Sequence, residues 1–413
     1  MKARNYVVIA LISLTLIPLE LAWTRIFSAE FFYTFAFLVL SLAILGLGLG
    51  SLMLRFFRKL NRSGLLGIYL AVAGLCAKFG PILVFKLGLD FSQLYSSWAM
   101  VGKLVLTVLI LMSSFFFAGL ALAMLFKQNH QDMPRLYMAD LVGAGVGVLL
   151  AVWAMNYFGT PLAAFLTALP IVVASLVVSK GWTKAIAVVC IVLVFVFGSS
   201  AERLLEAEHQ DHAPVIYKHW DAMSKIKVYD YNGQARGINI DNVANSPVYA
   251  FDGNWDDVKP GETQWGINVS CLIGMFDSCV FLSLGAGGGG DVMQALAEGA
   301  TEVHAVEVNP HINYMMVHGD PEGYFPPPPS EPDTAIADST SADRAAGGEE
   351  QVEDSTQSGS GDETTDSAAS AATDSVTDSS LVADSVKAYV PLPEFSGYLY
   401  HDPRVIVVTE DAR

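Results

Sequence analysis

The sequence predicts an α-helical membrane domain, followed by a small β unit and then by an α/β domain. Of the 413 residues, 53% are hydrophobic and only 16% are charged, which is too apolar for an ordinary soluble protein. The long apolar stretches lie before residue 200, whereas strand-like and glycine-rich stretches follow it. Residues 1–200 are therefore expected to form the membrane domain, and the remainder to fold outside the bilayer.

Seven apolar stretches fill the first half, and a membrane-spanning helix needs about 20 mostly apolar residues. They cover residues 6–24, 31–54, 65–87, 102–126, 138–158, 161–179 and 185–199. The last stretch is short for a full span, so we expect six or seven transmembrane helices. The first stretch lacks a small-residue cleavage site and leads directly into the second, which argues against a cleaved signal peptide. A multi-pass protein of a cell (inner) membrane, with the lipid bilayer as partner, is predicted.

The orientation follows from basic residues in the short loops, because Lys and Arg favour the cytoplasmic side. Lys2 and Arg4 precede the first span and Arg55 follows the second, whereas the loop at 88–99 contains neither Lys nor Arg. This alternation places the N-terminus in the cytoplasm. Seven spans would then put the soluble part outside, whereas six spans with an interfacial helix would keep it inside, and both arrangements stay open.

Two patterns within the spans have structural or functional meaning. The small residues of ILGLGLGS (44–51) and LVGAGVGV (141–148) predict close helix packing. Glu20, Lys78 and Asp140 are ionisable and lie inside spans, where charge is costly and often functional. They are candidates for a transport path, with pairing between helices as the alternative.

A small β-rich unit is predicted within residues 201–278. KIKVYDY (225–231) and ARGINID (235–241) are rich in strand-forming residues, and Asn232-Gly233 between them is typical of a hairpin turn. PVYAFDG (247–253) resembles a third strand. We therefore expect an antiparallel sheet immediately before the α/β domain.

The α/β domain is predicted from a strand–turn–helix–strand order. CVFLSL (279–284) fits a buried parallel strand, GAGGGG (285–290) a turn, DVMQALAEGA (291–300) a helix and EVHAVEV (302–308) a second strand. Parallel strands need such a crossover helix. The unit therefore indicates a Rossmann-like domain over residues 279–318 and 386–413, with its third strand in RVIVVTEDAR (404–413).

The glycine turn indicates an adenosyl ligand. Gly285, Gly287 and Gly290 fit G-x-G-x-x-G, and Glu307 ends the second strand, where a carboxylate can accept hydrogen bonds from ribose hydroxyls. Asp411 at the third strand end could accept from an adenine amine, which favours an S-adenosyl compound over a nicotinamide cofactor. The alternative is a turn that serves only tight packing. The predicted binding residues are Gly285, Ala286, Gly287, Gly288, Gly289, Gly290, Asp291, Glu307, Asp411 and Ala412.

An acidic tract interrupts the α/β domain at residues 319–385. It holds 16 Asp or Glu residues against the single Arg344, and so supplies −15 of the net charge of −17. Low hydrophobicity with high net charge predicts a disordered insertion. Because it precedes the third strand, it is expected at the edge of the sheet opposite the ligand crevice.

Several stretches resemble the membrane-anchored spermidine synthase-like proteins, in which a polytopic region is fused to an aminopropyltransferase-type domain. LELAWTRIFS (19–28) and RLYMADLVGAGVGVLL (135–150) resemble the membrane part of that family. HWDAMSKIKVY (219–229), LSLGAGGGGDV (282–292) and YLYHDPRVIVVTEDAR (398–413) resemble its soluble part. AVEVNP (305–310) belongs to the same resemblance.

The resemblance implies binding of decarboxylated S-adenosylmethionine or S-adenosylmethionine, with Glu307 on the ribose and Asp411 near the adenine. It further implies aminopropyl transfer to a polyamine-type amine. S-adenosyl compounds are cytoplasmic, so a cytoplasmic soluble domain is favoured. The family has Asp within its glycine turn, where this sequence has glycine. Its catalytic Asp follows a fourth strand beyond Arg413, so we expect a fragment or truncated product, and the catalytic residue is unknown.

Two alternatives to aminopropyl transfer stay open. One is a methyltransferase-like protein that keeps the same cofactor, and the other is a non-enzymatic transporter or sensor with an adenosyl-binding domain. No basic patch with interleaved aromatic residues suggests nucleic-acid binding, and the four cysteines do not have the spacing of a metal site. The sequence leaves the assembly of several copies open.

Overall fold

The computed structural model describes most of the chain at residue level. The described residues are 2–31, 34–89, 97–196, 198–206, 211–231, 233–258, 268–319 and 390–410. The acidic tract is therefore outside the described residues except for Gly319, as are Asp411 and Ala412.

The first half is helical. Its helices are α1 (Lys2–Glu30), α2 (Thr34–Phe56), α3 (Leu66–Lys86), α4 (Trp98–Gln128), α5 (Met133–Phe158), α6 (Thr160–Thr167), α7 (Leu169–Val178), α8 (Trp182–Phe195) and the short α9 (Ala201–Leu204). Within the described ranges, six spans are long and apolar enough to cross a membrane, with α6 and α7 together forming the sixth. A bend of 44° separates α8 from residues Gly198–Leu204, and the pair makes a seventh span if it is one broken helix. These helices indicate a membrane protein.

The glycine patterns bring pairs of membrane helices close together, as predicted. A Cβ atom on Gly50 of α2 would lie 2.4 Å from the carbonyl oxygen of Phe116 in α4. One on Gly143 of α5 would lie 2.4 Å from the carbonyl oxygen of Ala10 in α1. Because no side chain fits at these distances, both crossings depend on glycine.

An antiparallel sheet follows the helices. Its strands are β1 (Val215–Trp220), β2 (Lys225–Tyr231), β3 (Ala235–Ile240) and β4 (Ala244–Tyr249), paired in chain order. Pairing of Tyr231 with Ala235 confirms the predicted hairpin. Asp241 and Asn242 both have φ of 57°, so they form the β3–β4 turn in a left-handed conformation that Asp and Asn tolerate.

A second, parallel sheet has the order β5-β6-β7, formed by β5 (Val280–Leu284), β6 (Glu302–Val306) and β7 (Val405–Val408). The helices α10 (Gly290–Ala297) and α11 (Pro310–His318) follow the first two strands, and the short α12 (Leu392–Phe395) precedes the third. The β-sheet region therefore contains the predicted strand–helix–strand order.

One expectation for this sheet is wrong. CVFLSL was predicted to be buried, yet Val280, Leu282 and Leu284 are 63%, 56% and 60% exposed. The opposite face of the sheet, including Val303 and Ala305, packs with residues of α10 and α11 in one hydrophobic core. Among the described residues, the helices thus cover a single face.

Candidate functional site

The glycine turn joins β5 to α10 at the carboxyl end of the parallel sheet. Gly285, Gly287 and Gly289 have φ of 76°, 52° and 85°, which residues with a side chain rarely adopt. The N–H groups of Gly285 and Ala286 donate to the carbonyl oxygen of Val306 at 2.8 and 3.0 Å. Glycine suits these positions because the chain reverses sharply here while its amides stay bonded to the end of β6.

Glu307, the residue after β6, reaches back to this turn. Its Oε2 accepts the N–H of Gly287 at 3.1 Å, and its Oε1 accepts the N–H of Asn309 at 2.9 Å. The residue is only 4% exposed. A buried carboxylate is thus held by backbone amides of two successive turns, at the edge of the sheet where the sequence predicts a ligand.

The turn is also closely packed. A Cβ atom on Gly288 would lie 2.5 Å from the carbonyl oxygen of Pro247, and the Gly288 N–H donates to Ser246 Oγ at 2.8 Å. The Tyr400 hydroxyl donates to the carbonyl oxygen of Gly287 at 3.0 Å. Burial raises the pKa of Tyr400, and the charge of Glu307 adds to the shift. Glycine at position 288 therefore serves packing against β4, whatever else the turn does.

The structure brings most of the predicted binding residues together. Gly290 and Asp291 begin α10, directly after the turn, and Ala286 is buried within it. The Glu307 N–H donates to the carbonyl oxygen of Val408 at 2.9 Å, so the ends of β6 and β7 are adjacent. Asp411 and Ala412 follow β7 but lie outside the described residues, and their predicted roles stay predictions.

Sequence reasoning missed three residues at the turn. Ser246 comes from β4, where no pattern marks it as a partner of the turn. Asn309 caps α11 by accepting the N–H of His311 at 2.9 Å, and its amide donates to Ser224 Oγ at 2.6 Å. Asn309 and Tyr400 belong to stretches that resemble a known family, 305–310 and 398–413, and this was the available signal for both.

A second buried charged site joins the membrane helices to the antiparallel sheet. Lys225 Nζ contacts Glu30 Oε1, at the end of α1, and lies 2.9 Å from Glu206 Oε1. Glu206 also lies 2.6 Å from Lys218 and 3.1 Å from Lys227. We define the junction cluster as Glu30, Glu202, Glu206, Asp211, Lys218, Lys225 and Lys227.

The lysines determine the ionisation of Glu206. Burial alone would raise the pKa of Glu206, but the charges of Lys225, Lys218 and Lys227 outweigh it and hold that pKa at about 2. Likewise, burial opposes the charge of Lys227, yet the hydrogen bond to Asp211 and the charge of Glu206 raise the pKa of that ammonium. The charges of the junction cluster therefore stabilise one another in the absence of a ligand.

Two of the candidate transport residues have structural partners. Lys78 is fully buried and its Nζ donates to the carbonyl oxygen of Leu193 at 2.7 Å, near the end of α8. Ser13 of α1 donates to Asp140 of α5. These contacts match the alternative of pairing between helices, with Lys78 stabilising the carbonyl end of a helix. Glu20 is partly buried within α1.

Comparisons with known proteins return nothing that bears on the site, since no protein-family model, curated protein or solved structure matches the chain. In the part of the chain that the structure describes, no group of three His, Cys, Asp or Glu residues is arranged to hold a metal ion. The interpretation of the site therefore depends on its own geometry.

Proposed function

We propose that the chain is a membrane-bound transferase whose soluble part is a Rossmann-like domain that binds an S-adenosyl compound at the glycine turn. One observation carries the proposal: the carboxylate of Glu307 meets the Gly287 N–H at the carboxyl edge of parallel strands. Ligands of open α/β sheets bind at this edge. A carboxylate has about four acceptor positions, so Glu307 can accept ribose hydroxyls beside its two backbone amides.

Binding requires the turn to open. Glu307 is 4% exposed, and contacts from Ser246 and Tyr400 close the turn. An adenosyl ligand displaces part of these contacts and occupies the space beside Gly287. The N-terminus of α10 then presents a positive dipole end to the ligand.

The proposed reaction is aminopropyl transfer from decarboxylated S-adenosylmethionine to a polyamine-type amine. A neutral amine attacks the carbon beside the sulfonium, the carbon–sulfur bond breaks, and the electron pair leaves with the thioether. The amine then loses a proton to a base. The family resemblance, cytoplasmic cofactor supply and the membrane helices support a soluble part on the cytoplasmic side of a cell membrane.

Mass spectrometry of reaction products tests this function. The full chain in lipid nanodiscs is incubated with putrescine and either decarboxylated S-adenosylmethionine or S-adenosylmethionine. An aminopropylated product from the decarboxylated compound supports the proposal, whereas a methylated amine would indicate the methyltransferase alternative. Glu307→Gln should abolish the product and Glu302→Gln, an acidic residue on β6, should retain it. If neither cofactor is consumed and neither binds saturably, the proposed function is rejected.

A further inference from the structure

A cavity of about 570 Å³ lies between the membrane helices and the soluble part. This size suits a small organic ligand, since ligand pockets usually hold about 300–1,000 Å³ and often lie between domains. The last turn of α5, the start of α6 and α9 form one wall, and β1 with His311 of α11 forms the other. We call this space the junction cavity.

The charges around the junction cavity favour a cation. Within the described residues, the junction cluster contains four carboxylates and three ammonium groups. Glu202 and Lys218 both line the cavity, 3.6 Å apart, and the Glu202 side chain is 31% exposed against 13% for Lys218. The Lys218 ammonium lies closer to Glu206, at 2.6 Å, and is neutralised there. The exposed carboxylate of Glu202 can therefore be approached from the cavity by a second cation.

The imidazoles of the cavity carry little positive charge to oppose a cation. The rings of His219 and His311 stack with centroids 3.6 Å apart, and the Tyr217 hydroxyl and His311 Nε2 are hydrogen-bonded at 2.6 Å. Burial lowers the pKa of His311 to about 4, and the neighbouring His219 adds to the shift. Burial also lowers the pKa of His219, although Asp221 opposes it. Neutral rings can accept a hydrogen bond from an ammonium group.

Aromatic rings and helix carbonyls add to this preference. Tyr157 lines the cavity and is exposed, and aromatic faces attract cations. Trp220 also lines it, and Lys225 Nζ already lies 5.2 Å from the centroid of its ring. Asn156, Tyr157 and Phe158 belong to the last turn of α5, where unpaired carbonyls carry partial negative charge. Tyr157 stacks on Trp153 at 5.5 Å, and both are exposed at the end of a predicted span, as in the aromatic belts at lipid headgroups.

We propose that the junction cavity binds an organic ammonium ion, with Glu202 as its counter-ion and the aromatic and imidazole rings as its walls. The ammonium comes either from an aminophospholipid headgroup or from a free amine, which share this chemistry. The site lies apart from the glycine turn, and the proposal does not rest on adenosyl binding.

Titration calorimetry with n-butylammonium tests the proposal on the full chain in phosphatidylglycerol nanodiscs, with 1-butanol as the neutral probe of equal size. We expect saturable binding of butylammonium alone. Glu202→Gln should weaken it about tenfold, because a hydrogen bond to a charged group is lost. Ser199→Trp, at an exposed position of the wall, should block it, and Glu394→Gln, on α12, should not change it.

Adding phosphatidylethanolamine to the nanodiscs identifies the source of the ammonium group. If this lipid competes with butylammonium, a headgroup occupies the cavity, and if it does not, the ligand is a free amine. Equal binding of butanol, absence of saturable butylammonium binding, or unchanged affinity in both Glu202→Gln and Ser199→Trp would overturn the proposal. Binding of adenosine, which carries no ammonium group, to the same samples reports separately on the glycine turn.

Discussion

Glu206 and Glu307 are both buried carboxylates, but different groups hold them. Glu206 lies within 3.1 Å of three lysine side chains, and these fix its charge within the protein. Glu307 accepts hydrogen bonds from two backbone amides, at 3.1 and 2.9 Å. Ammonium partners neutralise a carboxylate, whereas backbone amides orient it and leave its charge available. The first site therefore attaches the membrane helices to the antiparallel sheet, whereas the second keeps a carboxylate charge that a ligand can use.

The largest expected effect comes from removing one of the lysine ammonium groups that surround Glu206. Lys225→Met removes the ammonium that contacts both Glu30 and Glu206, which leaves buried charge without full compensation. We expect the free energy of unfolding to fall by about 3–5 kcal/mol. Chemical unfolding of the full chain in detergent measures this, with the exposed Lys180→Met as control.

A double variant tests whether a buried charge without a partner causes this loss of stability. Adding Glu30→Gln to Lys225→Met should recover part of the lost stability, since the buried carboxylate that contacted Lys225 is then neutral. Equal stability of Lys225→Met and the wild type would show that the junction cluster does not hold the two parts together.

The pH dependence of Glu206 gives the next effect. Its pKa is lowered from 4.5 to about 2 by folding, so its contribution is complete well above pH 4.5 and is lost as the pH falls toward 2. The stability advantage of the wild type over Glu206→Gln should shrink by about 3 kcal/mol between pH 7 and pH 2. Unfolding curves of both proteins across this range measure the difference. A constant difference would contradict the assigned ionisation.

A smaller effect is expected from the packing of the glycine turn. Gly288→Ala places a Cβ atom 2.5 Å from the carbonyl oxygen of Pro247, so β4 or the turn must shift. We expect a loss of about 1–3 kcal/mol in unfolding free energy. Gly274→Ala is the matched control, because its Cβ would lie at an ordinary 3.5 Å from Glu298 Oε2. If both variants are equally stable, the turn is less closely packed than its contacts indicate.

Local patterns predicted much of the fold, because hydrophobic runs and turn residues act over short distances. The hairpin around Gly233 and the strand order around the glycine turn followed from them. The burial of Lys225 and Lys227 did not, because alternation in a strand would place such lysines in solvent. They are buried because Glu30 lies against this strand from 195 residues away in the chain.

Part of the candidate site could also be predicted from the sequence. Glu307 and the glycines could be placed together because parallel strands bring their carboxyl ends to one edge. Ser246 and Tyr400 close the turn from positions 42 and 113 residues distant from their partners in the chain, and no local pattern encodes such contacts.

The start of β4 at Ala244, three residues earlier than the predicted strand, follows from its pairing with Ile240.

Titration of decarboxylated S-adenosylmethionine into three versions of the full chain tests the central claim most directly. The wild type should bind saturably, and Glu307→Gln should bind at least about tenfold more weakly, because hydrogen bonds to a charged group are lost. Glu206→Gln should bind as the wild type does, although it is less stable. No saturable binding by the wild type, or equal affinity of the Glu307→Gln variant, would contradict the assignment of the glycine turn as the adenosyl site.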